Sequence, residues 1–419
     1  MRDKRLWIEW GKDVLIVLLT LSAVGLLTMT PLVRDSGVLD LLFPQESPGT
    51  GAPSGGRSEA VLPARLALRG EEGRCGVQYD QERLQELFPP LGALLGDALA
   101  SAGPIRPMSE GEWQRSLKEV GVYFDFAGDV PLSTLRRWLQ GEGEGELSGS
   151  ARRVLLCAGE GDQVLLCWQE AGSGSFFSCT TALTKSLHLD PAVRGAEVNG
   201  AYFAFENQAL SDRLSPYTLI TEGEQTGAQY AASNPLAGEQ AVAALLEELS
   251  FSNINHAPVS GGEVYLDGGD RLVVGAGGEV TYRAAQGEKY PVGDAGVDGA
   301  KALAERTLGA LCGEARLYLI SAQKGEEGLW VRFGYQLGGS AVYLGREGWA
   351  AEFLVREGYI TAFTLRLRSY TANGGYTSLL SVQMAAAMLP DLTAQRRELV
   401  IQYRDGGGAA AVIPEWVAV

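Results

Sequence analysis

The chain has 419 residues, 46 % of them hydrophobic and 21 % charged, which is enough apolar material for two or three packed domains and too much for a disordered chain. Its formal charge is -16; residues 1–33 carry four basic and three acidic side chains, so -17 falls on the remainder. A surface of that sign repels phosphate backbones, anionic lipid headgroups and anionic wall polymers, so nucleic acid is excluded as an expected partner.

Val14 to Val33, VLIVLLTLSAVGLLTMTPLV, contains no charge. A helix of that length spans about 30 Å, the hydrocarbon thickness of a bilayer, and the stretch is expected to be a transmembrane helix. Arg2, Lys4, Arg5 and Lys12 precede it, and only Arg34 follows closely, which places residues 1–13 in the cytoplasm and the bulk of the chain outside. A cleaved signal peptide would have a shorter apolar run ending in small residues, and a buried core helix would keep a polar face. Ser22, Gly25 and Thr28 recur every third residue and form a candidate seam for close approach of a second membrane helix.

Residues 34–58 include PQESPGTGAPSGGRS, a flexible linker without apolar periodicity. A first α+β domain is expected over 59–225. It opens with strand-like VLPARLALR and GVQY, followed by a helix capped at Asp80 that carries Leu84, Leu87 and Phe88. Pro89-Pro90 is expected to interrupt it before a second helix with Leu91, Leu94, Leu95, Ala98 and Leu99. Ser109 and Glu112 have capping-box spacing before Trp113 and Leu117. Strand GVYFDF, a helix near Leu132 to Leu139, the hairpin RRVLLCAGEGDQVLLCWQE and strands SFFSCTT, YFAFEN and YTLI complete this part.

One pattern then occurs twice. In 226–292 a helical stripe, Val242, Leu245, Leu246 and Leu249, precedes strands EVYLD, RLVVG and EVTYR separated by glycine turns. In 293–419 a stripe from Ala300 to Leu311 precedes RLYLISA, LWVRFGYQL, SAVYL, WAAEFLV and YITAFTLRLRSY. Each unit is expected to lay a helix across one face of an antiparallel meander. A helix over Thr377 to Leu389, strand ELVIQY and AAVIPEWV close the chain.

Residues that carry chemistry are sparse. His188 and His256 belong to no paired metal-ligand spacing, and GAGGE at 275–279 is a hairpin turn without the helix of a phosphate loop. Asp267, Asp270, Asp294 and Asp298 lie in glycine-rich turns without an EF-hand ladder. Glu247-Glu248 and Glu326-Glu327 have the character of solvated charge. Cys75, Cys157, Cys167, Cys179 and Cys312 read as buried apolar thiols, with a disulfide among Cys157, Cys167 and Cys179 left open. No catalytic, cofactor-binding or metal-binding residue is assigned, and neither an enzymatic activity nor a cofactor is expected.

WVRFGYQLGGSAVYL, AAEFLVREGYITAFTLRLRSY, the alanine-rich LLSVQMAAAMLP, ELVIQY and IPEW resemble the YycH/YycI family, also called WalH and WalI, with the overall layout most like its longer, YycH-like members. The resemblance implies a membrane-anchored, extracytoplasmic regulator without a reaction of its own. Such a protein tunes a cell-wall-related sensor histidine kinase of a two-component system, beside a paralogous YycI-like or YycH-like regulator, with the lipid bilayer met only through the anchor. Ser22, Gly25 and Thr28 are then the candidate partner-binding positions. Beside this stand an envelope binding module for a wall fragment or peptide and an extracytoplasmic hydrolase.

Overall fold

The computed structural model describes residues 61–419, apart from 140–146, 224, 253–254, 286–287, 294, 389–396 and 409. The expected membrane helix, the linker and with them Ser22, Gly25 and Thr28 lie outside the described residues. No helix among the described residues is long and apolar enough to cross a membrane.

The first sheet grows from a hairpin, β1 (Arg65–Arg69) and β2 (Arg74–Gln78), followed by α1 (Gln81–Ala100). Then come β3 (Arg106–Met108), α2 (Glu110–Ser116), β4 (Gly121–Pro131), α3 (Leu132–Trp138), β5 (Ser150–Ala158), β6 (Gln163–Glu170) and β7 (Phe176–Thr184). The strands lie in the order β2-β1-β4-β5-β6-β7-β3, all antiparallel. Their central members are apolar at nearly every position because both faces are covered. Successive side chains alternate between faces, so Val122 and Phe124 join the core beneath α1 while Tyr123 joins Trp113, Leu155 and Tyr217 on the other side.

Pro89 and Pro90 do not divide α1, which runs unbroken through both. Each proline removes one N–H bond, but both rings are exposed and the carbonyls they release belong to Gln85 and Glu86, which lie on the half-buried to exposed side of the helix. The capping box forms: Ser109 Oγ accepts from Glu112 N at 3.3 Å, and Ser109 N donates to the Glu112 carboxylate at 2.8 Å.

A covering segment follows, with α4 (Asp190–Val193), β8 (Tyr202–Phe203), α5 (Gln208–Ser211) and β9 (Leu219–Ile220). The expected strand YFAFEN keeps only its first two residues extended. Glu206, held by Arg74 and by Phe203 N, turns the rest into a tight helical turn. Asn199 closes the outer edge of β2, accepting from Gly76 N at 2.9 Å and donating to Gly76 O at 2.7 Å as a neighbouring strand would.

The second half contains β10 (Thr226–Ser233), α6 (Glu239–Glu248), β11 (His256–Val259), β12 (Gly262–Asp267), β13 (Asp270–Gly275) and β14 (Glu279–Arg283). Next come α7 (Gly296–Ala304), continued by a wider turn to Gly309, then β15 (Arg316–Gly325), β16 (Gly328–Leu337), β17 (Ser340–Leu344), β18 (Ala351–Arg356) and β19 (Tyr359–Arg366). β20 (Ser369–Ser378), α8 (Val382–Met388), β21 (Leu399–Asp405), β22 (Ala410–Val412) and β23 (Pro414–Ala418) end the chain. The helix expected from Thr377 begins only at Val382, because Thr377 and Ser378 pair with β10.

The helix-plus-meander pattern is present twice and the class is α+β, dominated by sheet. The two meanders form one sheet, β11-β12-β13-β14-β19-β18-β16-β15, since β14 pairs with β19. β17 leaves β16 beside β18 and carries β21 and then β23. The first sheet meets the second through a bulge in β4, where the register shifts between Asp125 and Val130 and Asp129 bridges Ser321 of β15. Gly128 permits this approach, because a Cβ there would strike the carbonyl oxygens of Leu319 and Ile320. The described residues form one compact unit.

Candidate binding cleft

The residues singled out for chemistry have ordinary protein partners. His188 Nδ1 accepts from Thr184 N at 3.1 Å, Asp267 pairs with Lys289, Asp270 accepts from Tyr282 at 2.8 Å, and Asp298 takes Arg137 and the Trp138 indole. Asp294 is outside the described residues. Glu248 meets Arg306 at 3.4 Å and Glu327 meets Arg356 at 3.4 Å, while the paired carboxylates do not converge on a cleft. The five cysteines are buried free thiols. Cys157 and Cys167 sit diagonally across β5 and β6, Cys157 opposite Leu165 and Cys167 opposite Leu155, and their mutual hydrogen bond, then burial, push the Cys167 thiol up. Among the described residues no three or more His, Cys, Asp or Glu side chains are grouped to hold a metal.

An ionic cluster that joins β1, β4 and β5 to the residue before β21 escaped the sequence reading. Arg65 of β1 donates to Asp125 at 2.7 Å and also to Glu398, the residue before β21. Arg152 reaches Asp125 at 3.0 Å and Glu398 at 2.8 Å, and Arg153 reaches Glu398 at 2.8 Å. Burial acts to raise both carboxyl pKa values, but the three guanidinium groups prevail and hold Asp125 and Glu398 below the usual carboxylate range. Asp125 also accepts from Ala127 N at 3.0 Å, fixing the β4 bulge in which Ala127 has a φ of 61°. Arg152 is 27 % exposed and the other four side chains are buried, and each charge has a partner within the cluster, so it joins elements of the fold. A second clamp, Arg368 on Asp405 at 2.7 and 3.1 Å, ties the start of β20 to β21.

One open feature is a cavity of about 530 Å³ between α6 and the β11–β13 meander; two further surface hollows, of about 670 and 750 Å³, lie elsewhere among the described residues. Leu236, Val242 and Leu246 form the wall of the first and Tyr265 and Val274 its floor, with Glu239 and Glu263 at the rim. These side chains share a face because Glu263 and Tyr265 alternate with outward residues of β12 and stand opposite Val274 and Leu272. The His256 ring stacks on Tyr265 with centroids 5.5 Å apart, and Glu263 bridges both, accepting from Tyr265 at 2.8 Å and lying 3.2 Å from His256 Nδ1. Burial, then that hydrogen bond, push the Tyr265 phenol up to about 12. It therefore remains a donor at neutral pH. The lining mixes apolar side chains with a few convergent polar groups, the composition of a binding cleft.

No protein-family model matches the sequence, and no curated protein does. Among solved structures, YycH from Bacillus subtilis matches with a TM-score of 0.56 over 86 % of this chain and 94 % of that one, at 11 % identity. The fold is YycH-like. An uncharacterized protein from Eubacterium rectale aligns over 48 % of this chain and 78 % of its own length, at 12 % identity and a TM-score of 0.32, which is too low to support an argument.

Proposed function

We propose that this chain is a membrane-anchored, extracytoplasmic regulator that binds a sensor histidine kinase of a cell-wall-related two-component system and alters its activity without catalysing a reaction. The observation that carries the reading is the YycH-like fold over 86 % of the chain, joined to the role the family resemblance implies. The apolar run Val14–Val33 and the linker to Ser58 supply a physical route. An anchor on a flexible tether holds the folded part near any membrane partner at high effective concentration, so a weak contact is occupied. A change in kinase activity then requires different affinities for its active and inactive states. Ser22, Gly25 and Thr28 are proposed to contribute the contact inside the bilayer, and the paralogous regulator is proposed as a second partner.

The test is reconstitution of the sensor kinase in proteoliposomes with and without the full-length chain, reading kinase autophosphorylation. A rate shift that saturates with added chain supports the reading; an unchanged rate at saturation of the membrane opposes it. The alternative, an envelope ligand-binding protein, draws on the 530 Å³ cleft.

A further inference from the structure

We infer that the cleft between α6 and β11 receives an extended peptide segment bearing a basic side chain, which adds as a further strand to the open edge of β11. The inference stands independently of the kinase reading, since it concerns what the cleft binds rather than which process it serves.

β11 pairs with β12 on one side, and no strand among the described residues pairs with its other side. Asn255 O accepts from Leu266 N at 3.0 Å, so the backbone of residue 255 faces β12. Antiparallel alternation then turns Ala257 and Val259 toward β12 and leaves His256 and Pro258 facing outward. Proline stands where its missing N–H weakens no existing bond. The outer edge thus offers the N–H and C=O of His256 and the C=O of Pro258, a set that an added strand can pair. Four residues of strand extend about 13 Å, which sets a bound segment of about four residues.

The side chains of that segment would meet the cleft, because His256 and Pro258 lie opposite Tyr265 and Glu263 on the face covered by α6. A volume of about 530 Å³ with Val242, Leu246 and Val274 at its depth accepts one large side chain or two small ones. Its charge is one-sided. Among the described residues no lysine or arginine lines the cleft, Glu239 has no ion-pair partner, and Glu263 meets only Tyr265 and His256. An acidic segment would place like charges together, whereas a lysine or arginine would pair with both carboxylates.

The experiment uses the full-length chain in detergent and fluorescence anisotropy with two fluorescein-labelled hexapeptide libraries. Val, Ile, Leu, Thr and Ala are mixed at five positions, and the third position is fixed as Lys in one library and Glu in the other. The Lys library is expected to bind at least about tenfold more tightly, and combined Glu239→Gln and Glu263→Gln substitution should remove that preference. His256→Pro, which deletes the outward N–H, should weaken binding at least about tenfold. Val242→Trp, filling the cleft from the helix side, should weaken binding even where His256→Pro disturbs the fold. Equal binding of the two libraries, no binding of the Lys library, or full binding by Val242→Trp would each overturn the proposal. So would sedimentation of the wild-type chain as a dimer that His256→Pro dissociates, because β11 would then be paired with a second copy.

Discussion

The first sheet and the β11–β14 meander solve the same problem, a sheet with an edge, in opposite ways. In the first sheet both faces are covered, Asn199 closes the β2 edge, and four buried charged side chains, joined by the 27 % exposed Arg152, pair where β1, β4 and β5 meet Glu398. In the meander one face is covered by α6, β11 is left open, and the His256–Glu263 pair is 44 % and 49 % exposed. Buried ions are costly to separate, whereas exposed ones contribute little. The difference separates two tasks: the ionic cluster that joins β1, β4 and β5 to Glu398 holds the fold together, and the open edge is available for recognition.

Removing one member of the buried cluster tests the first half of that contrast most severely. Glu398→Gln leaves Arg65, Arg152 and Arg153 facing Asp125 alone and is expected to lower unfolding free energy by about 3–5 kcal/mol in urea titration. The same cluster gives stability a pH dependence. Both carboxyl groups have folded pKa values below their unfolded ones, so their contribution is complete above about pH 5 and is lost as pH falls below about 4 and through the depressed values. The urea midpoint should drop in that acid range, and less steeply in Glu398→Gln. Gly128→Ala, which pushes the β4 bulge off β15, should cost about 1–3 kcal/mol by thermal and urea unfolding. Ser109→Ala removes one half of a capping box and should cost about 1 kcal/mol. In the open meander, His256→Ala should shift stability by no more than about 0.5 kcal/mol. A loss there as large as that of Glu398→Gln would erase the contrast.

Much of the architecture was legible because it is local. EVYLD, RLVVG and EVTYR became β12, β13 and β14 within a residue or so, since alternation and glycine turns sit inside each hairpin. The capping box at Ser109 needed only four residues. What remained hidden depends on distant partners. Glu398 lies 333 positions from Arg65, and nothing beside either residue names the other. A signal did exist: Asp125 between two phenylalanines, and Arg152-Arg153 ahead of VLLC, are charges inside apolar strands and therefore need buried partners. The end of β20 likewise followed from β10, and the continuity of α1 from the solvated side on which Pro89 and Pro90 fall. The cleft was not legible, because its acidic rim comes from α6 and β12 together.

Capture of the partner in native membranes tests the regulator reading most directly. A photocrosslinking residue at Gly25, with others at Ser22 and Thr28, should yield a covalent adduct with a sensor histidine kinase identified by mass spectrometry, and the adduct should disappear when Val14–Val33 is replaced by polyleucine. Absence of any kinase from these positions and from exterior probes at His256 and Met384 would contradict it.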